Sequence, residues 1–275
     1  HPALELPAVP IGGATAGSGP PPACRRDVEI RVEKDHIAAW FYVPAGTGPF
    51  PCVVMATGLG GTKDALLERF ALRYVENRIA VLTFDYRHFG ESSGEPRQLF
   101  DGIKQQEDLR AVVEYALESP VVDPKRIVLW STSSAGRYSI NGAAEDPAIA
   151  GAIAMCPSLD HRLDDRAAFR RGGIPYFAQL FVHAQRDKGR SRLRLSTHRI
   201  PIVSEPGGLA FLNAPCALEG YRSAMAGSRT FVNGICGRSL LIWPGPDTAK
   251  MAPRVRCPVL LQVCLILRPA GRVQT

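Results

Sequence analysis

Apolar and polar positions alternate over Arg26-Asp-Val-Glu-Ile-Arg-Val-Glu33, and a second run, Ile37-Ala-Ala-Trp-Phe-Tyr-Val43, follows after Lys34-Asp-His. A period of two on both sides of a short break predicts an antiparallel hairpin. The pattern then changes. Short, wholly apolar runs at Pro51–Ala56, Ala80–Phe84, Ile127–Trp130 and Ile149–Met155 are separated by stretches with helical spacing. Leu66, Leu67, Phe70, Tyr74 and Val75 would share one face of a helix over roughly 64–77, and Ile103, Leu109, Val112, Val113 and Ala116 one near 104–118. Apolar strands alternating with amphipathic helices predict an α/β fold, a mostly parallel sheet with helices on both faces.

From Asp160 to about Lys250 the order weakens: arginine, proline and glycine are frequent and strand signals sparse. A helix is expected near 215–226, and Val259–Cys264 is the next run that reads as a buried strand. The stretch of about 160–250 reads as an insertion over the carboxyl edge of the sheet, where a lid would lie. Residues 1–25, rich in Pro, Gly and Ala, read as a flexible lead-in, and 26–275 as a single domain.

Composition narrows the class of protein. Of 275 residues, 45% are hydrophobic and 21% charged, as in an ordinary globular chain. Net charge is +7, concentrated as arginine between Arg162 and Arg199. Such a run can meet phosphate or an acidic membrane surface, but no nucleic-acid module accompanies it, so it reads as a solvated connection and no nucleic-acid partner is expected. Seven cysteines show no metal-like spacing, so no metal is expected. Their odd number suggests reduced thiols and a cytoplasmic setting. No run approaches the roughly 18 apolar residues of a membrane helix, and nothing at the start reads as a signal peptide.

Candidate chemistry centres on Arg126-Ile-Val-Leu-Trp-Ser-Thr-Ser133-Ser-Ala-Gly136. An apolar strand runs into Ser133, which is flanked two residues away on either side by Ser131 and Ala135, and a helical stretch follows. This is the layout of a nucleophile elbow; the competing reading is a serine-rich turn whose hydroxyls cap the helix. Thr57-Gly-Leu-Gly-Gly61 leaves the first apolar strand, and glycines there let backbone N–H groups converge on an oxyanion. The expected donors are the N–H groups of Leu59 and Ser134. A phosphate site is not indicated, since Lys63 lies outside any Gly-Lys-Ser/Thr context. In Phe84-Asp-Tyr-Arg-His-Phe-Gly-Glu-Ser92, Asp85, Arg87 and Ser92 are expected to pin a loop, with Asp85 and His88 structural rather than catalytic.

Residues from about 27 to 160, and more loosely on to 264, resemble α/β-hydrolases of the group that includes X-Pro dipeptidyl-peptidase-like and serine-aminopeptidase-like hydrolases. The stretches that carry the resemblance are Thr57–Asp64, Asp85–Ser92 and Leu129–Gly136. It implies an acyl-enzyme hydrolase acting on an ester, amide or thioester of a small acyl substrate, with no cofactor. Ser133 would be the nucleophile, and the Leu59 and Ser134 amides the oxyanion donors. The chain departs from the family pattern at Thr57, where such proteins often have His, at Ser131, usually Gly, and at Arg137, often a second Gly and here expected to crowd the helix start.

The same resemblance places the acid just after a strand like Val259–Cys264 and a histidine beyond one more strand. Leu265–Thr275 contains no Asp, Glu or His, so the expected fold lacks its final strand and helix. Asp160, after the strand Ile149–Met155, is the alternative acid; His88, His161, His183 and His198 are expected on the site's side of the sheet, His1 and His36 away from it. An unpaired sheet edge would favour self-association. Lid aromatics Tyr176, Phe177 and Phe181 would line an acyl pocket or simply pack in the core. Two functions remain open: a serine hydrolase, inactive if its acid and histidine are lost, or a non-catalytic protein of the same fold that binds a ligand or partner.

Overall fold

Alternating side chains of the N-terminal hairpin point into the sheet core, and the rest of the sheet is built outward from it. A computed structural model describes residues 4–5, 9–10, 23–242 and 245–263. Strand β1 (Leu4–Glu5) and strand β2 (Val9–Pro10) pair antiparallel with β3 (Cys24–Val32). Strand β3 in turn pairs antiparallel with β4 (Asp35–Val43), setting Ile30 opposite Ile37. The remainder of residues 1–25, up to Pro22, lies outside the described residues.

The α/β unit follows in the expected order. It runs β5 (Phe50–Ala56), α1 (Leu67–Glu76), β6 (Ala80–Phe84), α2 (Gly102–Glu118), β7 (Val122–Thr132), α3 (Gly136–Glu145) and β8 (Ile149–Met155). With β11 (Val259–Gln262), the sheet order among the described residues is β1-β3-β4-β6-β5-β7-β8-β11. Strand β4 meets β6 antiparallel, whereas β6, β5, β7, β8 and β11 are mutually parallel.

Period-two alternation sorts the strands' apolar residues onto two faces. Cys52, Val54 and Ala56 of β5 and Ile127 and Leu129 of β7 pack under Leu109, Val112 and Val113 of α2 and Tyr138 and Ile140 of α3. Val53, Met55, Val81 and Trp130 face the other way, against Leu67, Ala71 and Val75 of α1. Each fully buried Leu, Val or Ile contributes roughly 1.5–3 kcal/mol before its ordering cost. Helix α2 starts at Asp101, whose carboxylate accepts the Ile103 and Lys104 N–H groups.

The insertion departs from expectation. It opens with a long helix, α4 (His161–Arg192), kinked at Gly173 (φ 61°) ahead of Pro175. The first arm buries nothing; the second buries Tyr176, Leu180, Ala184 and Asp187 along one narrow stripe. Three signals hide this helix in the sequence. Gly172-Gly-Ile-Pro175 reads as a break, the apolar residues of the first arm stand among arginines, and one position of the buried stripe is an aspartate.

Beyond α4 come β9 (Arg199–Ile200), α5 (Ala217–Ala224), β10 (Ile235–Cys236) and α6 (Thr248–Met251), with β9 and β10 forming a small antiparallel pair. Asp187, fully buried, accepts the N–H groups of His198 (2.7 Å) and Arg238 (3.1 Å), and so binds α4 to this region. Strand β11 is exposed, where a buried strand is expected: Val259, Leu260 and Leu261 are 40%, 58% and 49% exposed at the edge of the described sheet. The thiols of Cys24, Cys52, Cys216, Cys236 and Cys257 are free, but Cys156 is disulfide-bonded, against the expectation of reduced cysteines.

Candidate active site

Strand β7 ends at Thr132, a single turn of 3-10 helix covers Ser133–Ala135, and α3 begins at Gly136. Ser133 sits at φ +52° and is exposed. A non-glycine residue in the left-handed region at a strand-to-helix turn carries strain of roughly 1–3 kcal/mol. The neighbours permit the turn. Ser131 is fully buried with its hydroxyl 3.4 Å from the Ile153 carbonyl, so the position expected to hold glycine takes a small polar side chain. Gly136 has no such latitude, since a Cβ there would lie 2.4 Å from Pro157 Cβ. Arg137 is accommodated as a buried residue of α3. The Ser133 carbonyl accepts the Ser158 N–H (2.9 Å), which ties the elbow to the segment leaving β8.

The glycine-rich loop after β5 lies directly against this serine. A Cβ on Gly58 would stand 2.9 Å from Ser133 Cβ and 3.4 Å from Ser133 Oγ. The Gly58 N–H donates to Thr132 Oγ1 (3.2 Å), the Gly61 N–H to the Gly58 carbonyl (3.1 Å), and Thr57 Oγ1 to the Gly61 carbonyl (2.9 Å). Thr57, at the position where a histidine is common, thus closes the loop on itself. Leu59 is buried, and its N–H has no acceptor among the described residues. Gly60 adopts φ +65° and has Ile202 so near that a Cβ would lie 2.4 Å from its Cδ1.

Around this pair of turns, buried charges hold the loops. Lys63 and Asp85 are 1% and 0% exposed; the carboxylate accepts Lys63 N–H (2.6 Å), Lys63 Nζ (2.9 Å) and Glu91 N–H (2.9 Å). Lys63 Nζ also pairs with Glu91. Burial pushes the Asp85 carboxyl above its ordinary value, and Lys63 opposes the shift. Arg87 donates to Asp108, Glu33 (3.1 Å), Glu107 (2.8 Å) and the Lys104 carbonyl (3.3 Å). Ser92 Oγ donates to the Asp85 carbonyl (2.6 Å) and accepts the Ala38 N–H (2.8 Å). Asp85, Arg87 and Ser92 therefore brace the loop after β6. His88 is buried, with Nδ1 3.1 Å from the Pro96 carbonyl, and burial lowers its pKa.

None of the other sequence candidates hydrogen-bonds to Ser133 Oγ among the described residues. Asp160 is exposed and caps α4 by accepting the Arg162 N–H (2.8 Å). His183 and His198 stack on each other, with Nδ1 and Nε2 2.7 Å apart. His161 opens α4, near its i+4 neighbour Asp165, whose pKa burial raises and His161 opposes. Among the described residues no histidine ring hydrogen-bonds to Ser133. Tyr176 packs inward and donates to the Ala210 carbonyl (2.6 Å), Phe177 is partly buried against Phe169, and Phe181 is 57% exposed. No group of three or more His, Cys, Asp or Glu among the described residues is placed to hold a metal ion, and no described helix is long and apolar enough to cross a membrane.

Sequence reasoning missed one set of residues at this site. Tyr221 Oη donates to the Leu59 carbonyl (2.9 Å), and Asp64 accepts Ser228 Oγ (2.6 Å), Arg229 N–H (2.7 Å) and Thr230 Oγ1 (2.9 Å). These contacts span more than 160 positions, and no local pattern announces them.

Residues 53–269 match the model of the alpha/beta hydrolase family. The chain is 35% identical over 247 residues to the quorum-quenching protein AidA of Acinetobacter baumannii, covering 88% of this chain and 79% of that one. It is 36% identical over 125 residues to the thiohydrolase aneE of Aspergillus aculeatus, which is 46% of this chain and 37% of the relative. Among solved structures, the alpha/beta hydrolase GrgF from a Penicillium species superposes with a TM-score of 0.72 at 25% identity, over 86% of this chain and 78% of that one.

Proposed function

This chain belongs to the alpha/beta hydrolase family, and from that premise we propose that it is a serine hydrolase with Ser133 as nucleophile. Ser133 Oγ attacks the carbonyl carbon of an ester, amide or thioester as its hydroxyl proton passes to solvent water, which returns a proton to the departing alcohol, amine or thiol. The resulting oxyanion takes hydrogen bonds from the Leu59 and Ser134 N–H groups. Collapse of this intermediate expels the alcohol, amine or thiol, leaving an acyl-serine ester that water cleaves to the free acid. Thioesters are the favoured substrate class, because one relative is named a thiohydrolase.

The observation that carries this reading is the strained elbow itself. Ser133 holds φ +52° in an exposed residue, and Gly58 leaves room for it by having no side chain. A serine that merely capped α3 would need neither the strain nor the close approach. The unpaired Leu59 N–H supplies a donor on the loop beside it.

The test is labelling with a fluorophosphonate probe, together with turnover of a short acyl thioester and a p-nitrophenyl ester. We expect the label on Ser133 and a fall of roughly three or more orders of magnitude in kcat for Ser133→Ala. A Ser133→Ala protein with the parent's turnover overturns the proposal. Absent labelling and turnover, with an acyl ligand still bound equally by parent and variant, would favour the non-catalytic reading instead.

A further inference from the structure

We propose that Tyr221, on the lid helix α5, is a positioning residue that holds the Leu59 backbone, and so the oxyanion-hole donor at Leu59, in place beside Ser133. This rests on the serine-hydrolase reading and adds to it a role for the lid.

Two peptide planes meet at the Leu59 Cα. The plane that includes the Leu59 N–H also includes the Gly58 carbonyl, which is held by the Gly61 N–H at 3.1 Å. The plane on the other side includes the Leu59 carbonyl, and its partner is the Tyr221 hydroxyl at 2.9 Å. Because a peptide unit is planar, holding each carbonyl holds the N–H in the same unit. The first bond orients the Leu59 N–H itself; the second orients the neighbouring unit, which carries the Gly60 N–H, and so fixes where the Leu59 Cα, and with it the whole N–H-bearing unit, stands against Ser133. Without the Tyr221 bond, one plane is held only by its covalent neighbours.

The rest of the insertion presses on the same loop. Ile202 packs against Gly60, in the left-handed turn that directly follows Leu59. Asp64, at the far end, gathers Ser228, Arg229 and Thr230. Three separate lid segments therefore contact residues 59, 60 and 64. Tyr221 is itself braced against Phe231, ring centroids 6.2 Å apart. Burial raises the pKa of its hydroxyl, so the proton it donates stays in place across the working pH range. An oxyanion donor must point at where charge develops, and misalignment lowers kcat more than substrate binding.

Tyr221→Phe keeps the ring and removes only the donor. We expect amide hydrogen exchange over residues 57–61 to quicken and kcat to fall roughly three- to ten-fold, the worth of one net hydrogen bond. KM should stay within about two-fold, and affinity for a boronic acid that mimics the tetrahedral intermediate should fall in step with kcat/KM. Unchanged exchange and unchanged boronate affinity would overturn the role of Tyr221 whatever the turnover. A purely structural contribution would instead lower the melting temperature and leave kcat per folded molecule intact. Should Tyr221→Phe fold poorly, Phe231→Leu removes the ring that braces Tyr221 and is read by the same exchange and boronate measurements, unchanged values again overturning the role. Failure of the parent reading is separate, since it shows as Ser133→Ala retaining turnover.

Discussion

Replacing Lys63 by Met isolates the buried charge that joins the two loops beside the site. Both members of the Lys63–Asp85 pair are essentially without solvent contact, so the variant leaves the Asp85 carboxylate buried with only two backbone N–H donors, from Lys63 and Glu91. Breaking such a pair by removing one partner costs about 3–5 kcal/mol, far more than the pair contributes relative to apolar residues of similar shape. Met fills most of the lysine stem's volume, which limits the cavity contribution. The deficit should depend on pH. Burial already raises Asp85 above the ordinary carboxyl value, and losing Lys63 raises it further. A carboxyl with a raised folded pKa binds its proton more tightly in the native state. Stability of the variant should therefore rise as pH falls from the folded value toward the unfolded value of about 4. Urea unfolding at pH 7.5 and pH 5 measures both effects, and Lys63→Met/Asp85→Asn completes a cycle in which the double variant is more stable than Lys63→Met alone. A loss under about 1 kcal/mol for Lys63→Met, or strict additivity in the cycle, would refute the account of these loops as braced by one buried pair.

Gly58→Ala should slow turnover more than it destabilises. The new Cβ, 2.9 Å from Ser133 Cβ against a normal contact of about 3.5–4.0 Å, forces the serine or the loop to move by roughly half an ångström or more, and kcat should drop about ten-fold or further; unchanged kcat would contradict the proximity. Asp64→Asn should remove an acid-sensitive anchor. Burial raises the Asp64 carboxyl, but hydrogen bonds from Ser228, Thr62, Arg229 and Thr230 together outweigh it and the net shift is downward. Its contribution, about 1 kcal/mol after solvent screening, is present above the unfolded value near 4 and lost as pH falls through the folded one. The difference between parent and variant in urea should thus vanish at low pH. At the His183–His198 contact, burial, Arg186 and His183 lower the pKa of His198, while Asp187 opposes them and Arg190 adds to them. The contact is then stable above the unfolded value of about 6.5 and weakens as pH falls through the lowered folded value of His198, because protonation leaves the His198 Nε2 able only to donate. Hydrogen exchange near 183–198 should quicken at pH 5 in the parent, and much less so in His198→Gln.

The sheet was legible because its strands obey simple periods. Arg26–Glu33 alternates and forms half a hairpin; Pro51–Ala56 is wholly apolar, and from Cys52 on it is buried on both faces between β6 and β7. The strand-to-helix turn at Ser133 was legible as well, since a strand, a small residue, a serine and a helix follow one another within a dozen positions. Helix α4 was not. Its kink coincides with Gly173 and Pro175, and a buried Asp187 replaces an apolar residue where periodicity would look for one. Tyr221 and Asp64 were invisible for a different reason: their partners are set by how the insertion folds back across the sheet edge, and local spacing has no bearing on that.

These long-range contacts share a physical logic. Every loop around Ser133 carries backbone groups that no strand or helix satisfies, and unmet polar groups near a dry interior are costly. The chain meets that cost with charged or hydroxyl side chains. Asp85 collects donors from residues 63 and 91, Asp108 and Glu107 hold Arg87, Asp64 collects 228–230, and Asp187 collects 198 and 238. Each cluster joins segments far apart in sequence at a fixed distance and direction, which apolar packing alone specifies less tightly. A donor such as the Leu59 N–H can therefore stay unpaired while the carbonyls on either side of it are bound. Apolar contact contributes the stability of the sheet; these polar clusters determine where its carboxyl-edge loops stand. Substitutions within the clusters should thus shift these loops at a smaller stability cost where the cluster is half-buried, as at Asp64, than where it is fully buried, as at Lys63.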